Sequence, residues 1–276
     1  MEKIKKGSKP WVDYMEPFCI CNGVYFVGAY CCSSHLIDTG DGLILLDTGY
    51  PQTLYQIIAN IQKLGFDFRD IKYIIHSHGH YDHCGATKAL VELTGAKTFL
   101  GEPDRDYANG TLDLTCAREI GYEYYEAFEP DVLLHDGDII TLGRISIRCV
   151  STPGHTPGTI SFFFDIEENG KIYTCGMHGG VGVGSVKKAF LDRYGLPYSC
   201  RQDFINSLNR VRDEKVDIFL GNHTWNNQTK EKGLFRLENP DAPNPFLDPT
   251  AWSAFIDKCL ARMMKVVNDP EEQEDA

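Results

Sequence analysis

A mixed α/β (α+β) domain is the fold class that this sequence predicts, and three observations predict it. Short apolar, strand-like runs alternate with helix-like segments along the chain. Three of those runs lead directly into a histidine-bearing loop, so their ends converge on one edge of a sheet. The 276 residues, 42% of them hydrophobic, supply enough material for a sizeable core.

The elements follow in chain order. Leu43-Ile44-Leu45-Leu46 is a strand-like run that ends in Asp47-Thr48-Gly49. Tyr73-Ile74-Ile75 is another, and it enters the loop His78-Gly79-His80-Tyr81-Asp82-His83. Residues 86–93 lack Pro and Gly and read as the helix that this loop opens. Residues 145–150 and 159–164 are strand-like. Between them, Pro153-Gly154 and Pro157-Gly158 make tight turns that hold His155 out at a strand end. Residues 216–220 form an apolar strand, followed at once by Gly221-Asn222-His223. A helix over residues 252–267 closes the domain. The organisation expected is an N-terminal extension over 1–21, one domain over 22–267 and an acidic, disordered tail over 268–276.

The loop at residues 78–83 carries the chemistry. Three imidazoles and a carboxylate fall within six residues. His78 and His80, two apart on extended chain, point the same way. Asp82 and His83 follow as the chain turns and face a point a few ångströms off. One loop can therefore serve two adjacent metals, and neutral imidazole with carboxylate suits zinc, with iron or manganese as alternatives. A bland reading has these histidines merely capping the helix. It leaves four metal-capable groups buried without partners, which costs several kcal/mol. His155 and His223 supply the further ligands that a dinuclear site needs.

These residues resemble the metallo-β-lactamase superfamily. Its signature is H-x-H-x-D-H, then G-H-[ST]-P-G, then a histidine after a late strand; here these are His78 to His83, Gly154 to Gly158 and His223. The strand ending in Asp47 matches as well, and the likeness spans residues 25–223. The resemblance implies a four-layer αββα sandwich with metals in a cleft at one edge. The subclass most resembled is that of β-lactamases with only His and Asp ligands, through residues 22–28, 33–37, 58–66 and 244–249. Carried over, His78, His80 and His155 hold a first zinc, and Asp82, His83 and His223 a second. Asp82 doubles as the catalytic carboxylate, and Asp47 supports a ligand histidine from behind.

One position separates the subfamilies. Thioesterases and lactonases of the superfamily bridge their metals with an Asp that ends a strand after Gly; here Gly176 is followed by Met177. A thioether is a poor ligand beside imidazoles, which favours the β-lactamase-like arrangement. Cys175 is a weaker candidate for the cysteine ligand of another subclass. Met177, His178 and Trp225 are expected to line the substrate pocket, and residues 176–184 to form a flexible, glycine-rich rim. His35 and His135 read as structural, and His76 as either a strand-end residue or a support for the site.

The expected function is thus a dinuclear zinc hydrolase that opens a cyclic amide. The alternatives are a lactonase or thioesterase of the same superfamily, or an iron-dependent oxidoreductase. A glutathione thioester would call on Lys187, Lys188 and Arg193 for its carboxylates. The net charge of −12 argues against nucleic acid as a partner, since phosphate binding needs clustered cations. The only basic run, residues 3–9, reads as a mobile tail. The partner expected is a small-molecule substrate, with no membrane, because neither a signal peptide nor a transmembrane run is visible. Ten cysteines without a signal suggest reduced thiols in the cytoplasm, and Cys31-Cys32 and Cys19-x-Cys21 read as buried free thiols.

Overall fold

A computed structural model describes residues 14–119, 121 and 126–274. Seven strands form the first sheet in chain order: β1 (Phe18–Cys21), β2 (Val24–Phe26), β3 (His35–Asp38), β4 (Leu43–Leu46), β5 (Ile71–Ile75), β6 (Lys97–Gly101) and β7 (Val132–Leu134). It is antiparallel from β1 to β4 and parallel from β4 to β7. The second sheet comprises β8 (Ile139–Leu142), β9 (Ile145–Ser151), β10 (Ile160–Glu168), β11 (Lys171–Met177) and β12 (Ile218–Phe219), in the order β12-β11-β10-β9-β8. Only its β11–β12 pair is parallel. The helices are α1 (Leu54–Lys63), α2 (Tyr81–Cys84), α3 (Thr87–Thr94), α4 (Arg105–Ala108), α5 (Lys188–Tyr194), α6 (Cys200–Val211), α7 (Thr229–Glu238) and α8 (Ala251–Asn268).

The layers follow from strands that are apolar on both faces. In β4, Ile44 and Leu46 face the other sheet while Leu43 and Leu45 face helices α1 and α3. In β10, Phe162 and Phe164 enter the same inter-sheet core, and Phe163 packs outward with Phe204 of α6 and Trp252 of α8. Period-two alternation thus splits one apolar run between two cores. The result is the αββα sandwich that the resemblance implies.

Both expected boundaries are corrected. The sheet begins inside the extension assigned to residues 1–21: β1 pairs with β2, and Phe18 stacks on Phe26 at 5.2 Å. The tail assigned to residues 268–276 is held at Glu272, whose carboxylate accepts the Lys188 N–H at 2.7 Å and lies 3.4 Å from the Arg201 guanidinium. Arg201 is buried, so a carboxylate partner offsets the cost of its charge. The basic run at residues 3–9 lies outside the described residues. All ten cysteines are free thiols. Cys175 sits in the inter-sheet core, 3.9 Å from Cys21, and is no candidate ligand. Among the described residues no helix is long and apolar enough to cross a membrane.

The topology also positions the site. Parallel β4, β5 and β6 end at the same edge, so Asp47, the loop at 76–83 and Asp104 arrive side by side. The turn after β9 brings His155 there, and the segment after β12 brings His223.

Candidate metal centre

Two groups of side chains meet at that edge. The candidate donor atoms of His78, His80 and His155 lie within 4.8 Å of one another, as do those of Asp82, His83, His223 and Cys32. In the first group, Nε2 of His78 is 3.2 Å from Nε2 of His155. In the second, Nε2 of His83 is 3.4 Å from Nε2 of His223 and 3.5 Å from Asp82 Oδ2. The rings of His78 and His83 are 4.2 Å apart, so the groups adjoin.

The outer nitrogens explain the orientation. His78 Nδ1–H donates to the Gly179 carbonyl at 2.8 Å, His155 Nδ1–H to Gly182 at 2.7 Å, and His223 Nδ1–H to Cys31 at 2.6 Å. His83 Nδ1–H donates to Asp47 Oδ2 at 2.7 Å. A neutral imidazole whose Nδ1 carries the proton has a lone pair on Nε2. The Nε2 atoms that face one another at 3.2 and 3.4 Å are therefore all acceptors, and no proton lies between them. A cation between such lone pairs relieves their repulsion, so the residues fit a divalent metal in each group.

Electrostatics favour the same state. Burial, and then neighbouring imidazoles, push His78 and His80 well below the ordinary histidine range. Burial pushes His155 down to about 4. Neutral imidazole is the ligating form. His83 differs: burial opposes its charge, but the Asp82 and Asp47 carboxylates outweigh burial and hold it up.

Asp47 is fully buried and accepts three hydrogen bonds, from Ser77 N–H, Ser77 Oγ–H and His83 Nδ1–H, each at 2.7 Å. It stands behind a histidine of the second group, where the sequence places it. Trp225 stacks on His223 at 4.5 Å and is itself 58% exposed. Two other pocket expectations are corrected. Met177 is buried in the inter-sheet core, because its position in β11 faces the first sheet. His178 is 2% exposed, accepts Gly180 N–H at 3.2 Å, and its ring lies 6.5 Å from that of Trp252 in α8, so it is packed away from solvent and substrate. The glycine-rich rim is also a packed support: a Cβ on Gly180 would lie 2.3 Å from the His155 ring. His76, bonded to Phe99 O and Thr87 Oγ1, joins neither group, and His35 bonds the Gly221 carbonyl. His135 is an exposed partner of Glu102 at 3.1 Å.

Cys116 and Asp104 escape the sequence reading, and Cys32, read there as a buried free thiol, stands closer to the site than that reading implies. Cys32 belongs by distance to the second group, and Cys116 Sγ lies 3.4 Å from His80 Nε2. Asp104 accepts from Gly79 N–H, Thr156 Oγ–H and Gly158 N–H at 2.8, 2.6 and 2.7 Å, and ties the two histidine loops together. Burial nonetheless pushes Asp104 up to about 6. None of the three has a local pattern; each is brought in by a loop distant in sequence.

A sandwich that carries paired His and His/Asp clusters at one edge defines a class, and known proteins bear the class out. The sequence profile of the metallo-beta-lactamase superfamily matches residues 27–168, more than half of the 276-residue chain. The chain belongs to the metallo-beta-lactamase superfamily and is a metal-dependent hydrolase. Its structure is similar to native FEZ-1 metallo-beta-lactamase from Legionella gormanii, with a TM-score of 0.85 and 28% identity over 95% of this chain and 98% of that one. It is also similar to BJP-1, a subclass B3 metallo-beta-lactamase of Bradyrhizobium japonicum, at TM-score 0.79 and 28% identity over 94% and 99% of the two chains. A hydroxyacylglutathione hydrolase of Pelagibacter ubique is 29% identical over 163 residues, 58% of this chain and 55% of its own length.

Proposed function

We propose that this protein is a dinuclear zinc hydrolase that opens a cyclic amide, in the manner of the β-lactamases it resembles. The observation that carries the reading is the pair of adjoining clusters, His78/His80/His155 and Asp82/His83/His223; after Gly176, where the resemblance puts the bridging Asp of lactonases and thioesterases, this chain has Met177, which packs in the core. The likeness to FEZ-1 and BJP-1 over nearly the whole chain supports it. Two bound zinc ions supply Lewis-acid polarisation of a carbonyl and hydroxide at neutral pH.

The chain's own residues do the rest. His78, His80 and His155 hold one cation, and Asp82, His83 and His223 the other. Asp82 is the one carboxylate among these donors, and it is partly exposed toward the opening. It orients the attacking water and takes its proton. Trp225, exposed beside His223, lines the rim for a ring substrate. Beside His80 and His155 lies an apolar cavity of about 210 Å³ lined by Tyr107, Leu114, Phe190, Leu191 and Leu196. Its largely apolar lining suits an apolar substituent. That cavity equally suits a lactone with an acyl chain, which is the second reading.

A glutathione thioester fits less well. Its carboxylates would need free cations, but Lys188 pairs with Asp192 at 2.8 Å and Arg193 with Glu119 at 3.3 Å. Lys187 lies 4.0 Å from Glu272. The free thiols suit the reducing cytoplasm as the place of action.

Metal analysis of protein purified without tags or chelators tests the centre: two zinc ions per chain are expected, and iron in their place would overturn the assignment of zinc. Asp82→Asn should keep the fold and lose about 10²–10⁴-fold in kcat, the range for a lost general base. Comparison of kcat/KM for a cephalosporin, a homoserine lactone and a glutathione thioester then tests the substrate class. A clear preference for the thioester would overturn it.

A further inference from the structure

Four imidazoles at the centre follow one rule. His78, His83, His155 and His223 each bond outward through Nδ1, and each leaves Nε2 facing inward. His80 breaks the rule. Its Nε2 lies 3.4 Å from Cys116 Sγ, and among the described residues nothing is hydrogen-bonded to its Nδ1. An imidazole that binds a metal through one nitrogen carries its proton on the other, and the partner of that proton decides which nitrogen is which.

A second observation marks Cys116. Among the described residues, four that are not glycine have a positive φ, and two of them stand at this centre: Asp47 at 58° and Cys116 at 59°. A cysteine gains no local hydrogen bond from the left-handed region, so its surroundings must impose that conformation. They do so from both sides. The Thr115 carbonyl accepts the Tyr81 N–H at 2.8 Å, at the start of α2. Thr115 and Ala117 are buried, and Glu119 pairs with Arg193 of α5. Asp47 and Cys116, the two left-handed residues, each present a side chain to the outer nitrogen of a histidine.

We propose that Cys116 is a positioning residue for His80: its sulfur accepts the Nε2–H of that ring and commits Nδ1 to the metal shared with His78 and His155. The proposal rests on the reading that these three histidines hold a metal. Cys116 is to His80 what Asp47 is to His83, with a soft, neutral acceptor in place of a carboxylate.

The test uses the full chain loaded with zinc and measures the affinity of each zinc by chelator competition. It compares wild type, Cys116→Ala and Cys116→Ser, with Cys116→Gly in reserve, since glycine accepts the positive φ if the alanine variant does not fold. Cys116→Ala should weaken one of the two zinc ions by about 10–100-fold and leave the other unchanged. Serine offers an oxygen acceptor and should recover part of that loss. In cobalt-substituted protein the ligand-field bands of one site should shift, without any thiolate-to-cobalt charge-transfer band. Two zinc affinities unchanged in every variant would overturn the proposal alone. A charge-transfer band that Cys116→Ser removes would also overturn it, because the sulfur would then be a ligand. Wild-type protein that binds fewer than two metals would overturn both the proposal and the reading beneath it.

Discussion

The two halves of the candidate metal centre both rest on histidines and are held by different means. The half around His78 and His155 leans on backbone carbonyls from residues 179–182, neutral acceptors on a segment packed against the rings. The half around His83 leans on a buried carboxylate, Asp47, which also ties in Ser77 from the strand end. A carboxylate partner raises the basicity of its histidine, whereas a carbonyl only orients it. One half is thus tuned by charge and the other by shape, and the two should fail in different ways.

The largest effect is expected at Asp47. Asp47→Ala leaves three buried donors without a partner and places alanine at a φ of 58°. Stability should fall by about 3–5 kcal/mol, from about 1–3 kcal/mol per orphaned donor with partial relaxation. The metal of the His83 half should also bind about 10–100-fold more weakly. Urea denaturation and chelator competition read the two separately. Equal weakening of both metals would break the comparison.

Gly180→Ala comes next and strikes the other half by shape alone. The new Cβ would sit 2.3 Å from the His155 ring, so ring or backbone must move. A stability cost of about 1–3 kcal/mol is expected, the range for overpacking. The selective loss should now fall on the His155 half. A metal titration that shows the His83 half affected instead would remove the distinction.

A smaller, pH-dependent effect belongs to His178, which supports the glycine segment from behind. Burial pushes it down to about 3, against an ordinary value near 6.5. Between those values the unfolded chain takes up a proton that the folded chain refuses. The stability from keeping His178 neutral is complete above about pH 6.5 and is lost as pH falls toward 3. His178→Leu removes this term, so the stability gap between wild type and variant should narrow on acidification. Denaturation of metal-free protein at several pH values reads it, and a gap that stays constant from pH 7 to pH 4 would refute the assignment.

The smallest effect is expected at Trp225. It stacks on His223 but is 58% exposed, so Trp225→Ala should change stability by no more than about 1 kcal/mol. Its consequence should appear in KM for a ring substrate, with kcat nearly kept. Steady-state kinetics decide, and a kcat loss that matches Asp82→Asn would give the tryptophan a different role.

The legible part of the centre was whatever lay in one short segment or closed a strand. His78, His80, Asp82 and His83 share one loop, and the Pro-Gly turns around His155 announce a rigid presentation. Asp47 was legible because it follows the four apolar residues of β4. Met177 and His178 were misplaced because a strand's end does not reveal which neighbour each face meets. Met177 turns toward the first sheet, and His178 toward α8. The rim glycines looked mobile in sequence because missing side chains suggest freedom, yet here they make room for imidazoles.

Local sequence therefore determined the alternation of strands and helices and the donors that lie along single loops, because hydrophobic period and ligand spacing are short-range properties, and the likeness of those short motifs to a known superfamily determined the class. The tertiary structure decided the rest. It alone set which nitrogen of each histidine faces inward, brought Cys32, Asp104 and Cys116 to the centre, seated the β1 edge strand and pinned Glu272 to Arg201. Each of those depends on groups far apart in the chain, whose meeting is fixed only when two sheets and their helices close on one core.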